Sequence, residues 1–324
     1  MKGEKMKYKS CFIIIIVFLI IGVTFSDSFP KQLEKATQRT VIRDSTWIDA
    51  NQIAMIIMNN GTFARDPVTG NGALLYPKGT NKSAFYAAGL WFAGKVNGEI
   101  RTACADYNTE YQPGVILPNG LPDDPDLEKY RVYKIRPGDS ADPSDPNYNP
   151  DYAEWPVSDG APLDGNGDPL ILGDQTVWCV MNDGDQNLHN SCYNTPPLNI
   201  DVQLLAWAYD DDDTTPLGKT VFLHYTLVNK GSDPITDAYI GLWSDIDLGD
   251  AVDDKCACDT LANLSYVFNG DDFDEMYGIA VPAIGICLLQ GPVVSSPGDV
   301  APQFLHPPIQ NAKQLNITSN SAYY

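Results

Sequence analysis

Six aspartates, Asp245, Asp247, Asp250, Asp253, Asp254 and Asp259, fall within fifteen residues, and Lys255 is the only cation among them. Carboxylate oxygens at that density suit a hard cation such as calcium, which collects roughly six to eight oxygen ligands from flexible loops. The run follows residues 238–243, an apolar and aromatic stretch that reads as a strand and gives the loop a rigid base. On this reading Asp245, Asp247, Asp250 and Asp253 are the expected calcium ligands, with Asp254 or Asp259 as substitutes. Solvated acidic turns are the competing reading, since Asp also favours turns.

A second cluster is Asp164-Gly165-Asn166-Gly167-Asp168. Asp164, Asn166 and Asp168 match the first half of an EF-hand loop, whose alternate positions carry oxygen ligands. Pro169 stands where that loop needs glycine, and Gln175 where it needs a bidentate Glu, so a complete EF-hand is excluded. A shorter calcium turn and a plain Asn-Gly turn both remain open.

Other chemistry finds little footing. There is no G-x-S-x-G elbow and no H-E-x-x-H zinc helix. Leu217-Gly218-Lys219-Thr220 resembles the end of a phosphate-binding loop, but Asp213 occupies the position of its first glycine and no helix is expected to follow. A glycosidase needs only two carboxylates at a set separation, and 35 Asp and 7 Glu offer too many pairs to nominate one. No catalytic residue is assigned.

The elements that must position these loops read as strands. Glu, a helix former, is scarce beside Asp, and 24 Pro and 26 Gly add turns. Buried strands are expected at 53–58, 176–181, 200–209, 220–229, 238–243, 264–268 and 277–289, with a short one within 130–136. Residues 83–106 form the clearest hairpin, because Asn97-Gly98 separates two apolar runs. The fold class is therefore all-β: antiparallel β-sandwich modules joined by long Asp/Pro/Gly-rich loops. Expected boundaries are a signal peptide at 1–26, a flexible lead-in at 27–45, a β-rich domain at 46–136, a Pro/Asp-rich linker at 137–169 and a sandwich at 170–324. Within the linker, Tyr148, Tyr152 and Trp155 are expected to pack over the core.

The leader reading rests on Lys2, Lys5, Lys7 and Lys9, an apolar run over 11–23, and small residues at the exit. That run is short of the roughly 20 residues a membrane span needs, so no stable span is expected after cleavage. Export gives meaning to the six remaining cysteines, Cys104, Cys179, Cys192, Cys256, Cys258 and Cys287. Disulfides are the leading reading, with fifteen possible pairings, and a zinc thiolate site the lesser one. A formal charge of −21 disfavours nucleic acid and anionic membranes as partners and favours cations. The chain reads as cut off within a larger protein, since no polar tail closes it.

Five strings carry a resemblance: Ile48-Asp49-Ala50-Asn51, Ala88-Gly89-Leu90-Trp91, Val96-Asn97-Gly98-Glu99-Ile100, Leu172-Gly173-Asp174-Gln175-Thr176-Val177-Trp178 and Ser244-Asp245-Ile246-Asp247-Leu248-Gly249-Asp250. The chain resembles the N-terminal region of large, uncharacterised exported proteins of Bacteroidetes and neighbouring phyla, which often end in a type IX secretion sorting domain. The resemblance implies export and sandwich modules but no catalytic residues. The expectation is a secreted or cell-surface protein with a structural or adhesive role, held by calcium and disulfides. The alternative is a carbohydrate-binding module or hydrolase acting on an extracellular glycan. An extracellular protein is a further expected partner.

Overall fold

Asn97 and Gly98 both take positive φ, 54° and 82°, the geometry a two-residue hairpin turn requires. They join two strands with Val96 opposite Glu99, so the expected hairpin forms. A computed structural model describes residues 44–322 and, for 12–21, the backbone. The basic segment, the cleavage region and most of the lead-in expected at the N-terminus lie outside the described residues.

The principal strands, in chain order, are β1 (Phe12–Ile21), β2 (Ser45–Ile48), β3 (Ala54–Met58), β4 (Ala87–Val96), β5 (Glu99–Cys104), β6 (Tyr133–Ile135), β7 (Gln175–Asn182) and β8 (Ile200–Ala208). They continue with β9 (Thr220–Asn229), β10 (Ile235–Asp245), β11 (Lys255–Asp259), β12 (Leu264–Phe268), β13 (Ala283–Gln290), β14 (Val293–Ala301) and β15 (Ile309–Gln314). A nine-stranded sheet runs β6-β7-β8-β9-β1-β13-β12-β11, with Gln112–Pro113 beside β7. Its pairs are antiparallel except that β1 lies parallel to both β9 and β13. An eight-stranded sheet is led by β10-β4 and carries β5 on β4 and β2 on β3, while β14 and β15 pair by themselves. The only α-helix among the described residues is Pro150–Ala153. The all-β sandwich expected from composition and turn spacing is what forms.

The two sheets close on one core. Ile57, Phe63, Leu90 and Phe92 of one meet Val177, Val202, Leu223 and Tyr225 of the other. All eight residues of β7 are buried, because a second apolar layer of Tyr130, Tyr133, Trp155 and Trp207 covers the sheet's far face around Trp178. A strand covered on both faces reads as an unbroken apolar run, as this one does. Trp155 and Tyr152 come from the segment expected as a linker, and both pack as expected; Tyr148 stays 40% exposed.

Three expectations change. Residues 137–169 do not separate two cores, since β10 from the second half pairs with β4 from the first and β6 extends the sheet of β7. The strand expected at 277–289 starts only at Ala283, because Asp274 and Gly278 close a turn across its first residues. Lys255–Asp259, inside the acidic run, is a strand.

The sheets are also pinned by buried polar groups. Asp49 donates its N–H to Gln175 Oε1 at 2.7 Å, and Gln175 Nε2 donates back to Asp49 Oδ1 at 2.9 Å. Asn51, 1% exposed, donates from Nδ2 to the carbonyls of Leu217 and Thr220 at 3.0 and 2.8 Å and accepts from the Ile53 N–H. Burial works against the charge on Asp49, but hydrogen bonds from Gln175 and Lys134 and the charges of Lys134 and Arg136 outweigh it and hold the carboxyl below its ordinary range. Asn51→Leu keeps the volume and strands two carbonyls and one N–H away from water. Chemical denaturation should show a loss of about 2–4 kcal/mol with an unchanged m-value; a loss below about 0.5 kcal/mol would mean the joint carries no weight.

Candidate functional site

The acidic run starts where β10 leaves its sheet. Asp245 is the last residue of β10, opposite Ala87, and its carbonyl accepts from the Tyr86 N–H at 2.9 Å. Its carboxylate takes the hydroxyl of Tyr107. Burial, then that hydrogen bond and the charges of Asp245 and Asp247, push the Tyr107 phenol up. Beyond Asp245 the acids divide by role. Asp250 Oδ1 accepts the Val252 N–H, and Asp259 Oδ1 those of Leu261 and Ala262, so these two act as turn caps.

The remaining carboxylates lie close enough for the charges of Asp253 and Asp247 to act on Asp254. Asp254 Oδ2 accepts the Leu248 N–H at 2.8 Å, whereas Asp254 Oδ1 and Asp253 Oδ2 are buried oxygens with no hydrogen-bond partner. Burial, with the charges of Asp253, Asp247 and Asp274 added, raises the Asp254 carboxyl to about 6. Asp247 is raised as well, by burial and then by Asp245. Like charges gathered in a half-buried loop repel, and either a proton or a cation relieves that repulsion.

Asp274 organises this loop, and the sequence reading passed over it. It is 2% exposed and accepts backbone N–H groups from Asp250 at 2.7 Å, Met276 at 2.8 Å and Tyr277 at 2.5 Å. Gly249 must lie against it: φ is +77°, and a Cβ there would stand 2.3 Å from Asp274 Oδ1. The available signal was the acidic turn Asn269-Gly270-Asp271-Asp272-Phe273-Asp274, which reads only as a turn.

The second cluster closes on itself. Asp164 Oδ1 accepts the N–H groups of Asn166 and Asp168 at 2.8 and 3.0 Å, and Leu163 bridges Pro169. These bonds hold the Asp164 carboxyl below its ordinary range. Asp164, Asn166 and Asp168 thus form an Asx-type turn. Among the described residues, no three His, Cys, Asp or Glu side chains are arranged as a ready metal site.

Beside the acidic loop lies an aromatic surface. In β10 and β4, Tyr239 is opposite Ala93, Gly241 opposite Trp91 and Trp243 opposite Gly89, so these residues share the face turned away from the core. Tyr107 packs edge-on against Trp243 at 4.9 Å and Tyr86 against Tyr107 at 6.1 Å, with the Arg65 guanidinium over both tyrosines. Tyr193 packs edge-on against Trp91 at 5.6 Å. Tyr239, Tyr193 and Tyr107 are 71%, 52% and 49% exposed. Gly241 leaves a gap in the ribbon between Trp91, Tyr239 and Trp243. Strand alternation puts Leu90 and Phe92 in the core and turns Trp91 outward.

A buried polar centre also escaped the sequence reading. His189 Nε2 lies 2.8 Å from the Asp183 carbonyl, and its Nδ1 is 3.9 Å from Glu110 Oε2. Burial lowers the imidazole and raises the Asp183 carboxyl to about 7. Asp183 accepts from the Leu198 and Ile200 N–H groups at 2.6 and 2.7 Å. His189, Asp183 and Glu110 are all 0% exposed, so no substrate reaches them and the centre ties loops together. No disulfide joins any two of the described cysteines. No family model, curated protein or solved structure matches the chain.

Asp274→Ala removes the acceptor of three backbone N–H groups. It should cost about 2–4 kcal/mol in denaturant melts and raise proteolytic cleavage within 247–254. Unchanged stability and cleavage would show that the loop holds itself.

Proposed function

We propose that this chain is a secreted or cell-surface β-sandwich with an adhesive role, docking through the outer face of β10 and β4. The observation that carries the reading is the ribbon of outward-facing aromatic side chains, with Tyr239 and Tyr107 exposed and Trp91 and Trp243 half-buried, lying beside Asp245 and Asp247. Aromatic faces stack on the apolar faces of sugar rings or on protein side chains, and neighbouring carboxylates accept hydroxyl hydrogen bonds. An overall charge of −21 disfavours anionic surfaces as the target. The same ribbon gives the carbohydrate-binding alternative its support, with a neutral glycan as ligand. Two open concavities are lined by Arg136, Asp139 and Asn149 and by Glu128, Arg131 and Asp159. The resemblance to exported Bacteroidetes proteins and the basic, apolar N-terminus support export.

The adhesive reading is tested by sedimentation of the purified chain with a panel of insoluble neutral polysaccharides and with whole cells. Binding is expected, and Trp243→Ala should weaken it about tenfold, worth about 1.4 kcal/mol. Equal binding by the variant, or none by the parent, would remove the ribbon from the function.

Calcium belongs to the same proposal as a stabiliser of the loop that flanks the ribbon. The unpartnered oxygens of Asp253 and Asp254 support it, with Asp247 beside them. Asp245, engaged by Tyr107, and Asp250, a turn cap, are weaker candidates than their spacing suggested. A cation binding only the folded state stabilises it by RT ln(1 + [L]/Kd), about 2.7 kcal/mol at a hundredfold excess. Calcium should therefore raise the melting temperature over that in chelator, and the paired change Asp253→Asn, Asp254→Asn should abolish the difference. Equal melting with and without calcium would reduce the acids to solvated turns.

A further inference from the structure

Cys104 ends β5 with its side chain 3% exposed, on the same outward face as Trp91 opposite it. The segment that covers this face carries Cys192. Thr195 Oγ1 accepts the Thr102 N–H at 3.0 Å, and Tyr193 packs on Trp91, which lays residues 192–195 along β5. One carboxylate holds both cysteine backbones. Glu110 Oε2 accepts the Cys104 N–H at 3.0 Å, and the same side chain takes the N–H groups of Cys192 and Tyr193. Cys192 Sγ stands 3.9 Å from the Cys104 carbonyl oxygen, and burial, then the charge of Glu110 and the nearby Cys192 thiol, push the Cys104 thiol up.

The remaining described cysteines sit elsewhere in the sheets. Cys256 and Cys258 lie opposite Val267 and Ser265, on one face of β11. Ser265 in turn lies opposite Ile286, so Cys287, one residue on, points to the other face. Cys179 is buried with its thiol toward the Met58 carbonyl. Cys104 and Cys192 are the described pair that one carboxylate and one sheet face bring together.

We infer that Cys104 and Cys192 form a disulfide when the chain meets an oxidising environment, clamping the 185–199 loop and its Tyr193 onto the aromatic face. The inference rests on the export reading for its setting, but the chemistry can be tested apart from it. Cys192, the half-exposed member, attacks a small disulfide oxidant such as oxidised glutathione and releases one glutathione thiolate. The Cys104 thiolate then attacks Cys192 Sγ, the new S–S bond forms and the second glutathione leaves. The protein gives up two thiol protons and two electrons, and the oxidant becomes two molecules of reduced glutathione.

The experiment incubates the purified full chain in glutathione buffers of graded oxidation, blocks remaining thiols, and maps the peptides by mass spectrometry. A linked Cys104–Cys192 peptide should appear while Cys179 stays alkylated after denaturation. The oxidised chain should melt several degrees above the reduced one, and Cys192→Ser should erase that difference without lowering the melting temperature of the reduced form. Persistence of both thiols in oxidised glutathione, or a different linked pair, would overturn the assignment. A disulfide formed in vitro from a chain found to remain in a reducing compartment would fail the export reading alone.

Discussion

The joint between Asp49, Asn51 and Gln175 is the constraint on which the rest of the sandwich depends. Apolar burial holds the two sheets together without fixing how one slides over the other, because hydrophobic attraction has no direction. Directional bonds at a buried corner supply that fix. Gln175 begins β7 and is 0% exposed, so its amide has no water to fall back on, and Asp49 is the group it meets. Asn51 does the same for the turn that leads into β9. Lys134, next to β7 in the same sheet, adds bonds to Asp49 Oδ1 and to the Trp47 carbonyl. Two of the strings that carry the resemblance, at 48–51 and 172–178, are thus two halves of one structural element.

The strands were legible where one period dominated. The 220–229 strand is found at those residues, and Asn97-Gly98 specified its hairpin through positive φ alone. Burial on both faces made β7 readable as a continuous apolar run. What the sequence could not convey was pairing at a distance. Nothing local says that 235–245 crosses to pair with 87–96, so the two halves looked like two domains. Lys255–Asp259 was hidden because its acids suggested a loop, whereas its partner β12 supplies the ladder that makes it a strand.

The site was legible in composition and not in role. Six aspartates at close spacing look alike in a sequence, yet backbone N–H groups claim Asp250 and Asp259, Tyr107 claims Asp245, and Asp253 and Asp254 keep buried oxygens without partners. Asp274, which shapes the loop, lies twenty residues beyond Asp254 and contributes through geometry that no spacing rule encodes. The aromatic ribbon had the opposite difficulty. Trp91 and Phe92 are adjacent and equally apolar, and only the pleat sends one outward and the other to the core.

The nine-stranded sheet places a further demand on the export reading. Its β9 and β13 both point their open edges at β1, the apolar segment expected to belong to the leader. Remove β1, and the sheet divides into the part ending at β9 and the part beginning at β13. A ten-residue edge such as Thr220–Asn229 presents a row of N–H and C=O groups, and an edge of that length invites pairing. Short edge strands, charges and prolines are the usual protections, and neither β9, reading TVFLHYTLVN, nor β13, reading AIGICLLQ, carries a charged residue or a proline. The apolar β1, parallel to each, is the strand that pairs with both edges. β1, by its pairing with both, covers two edges that carry none of those protections.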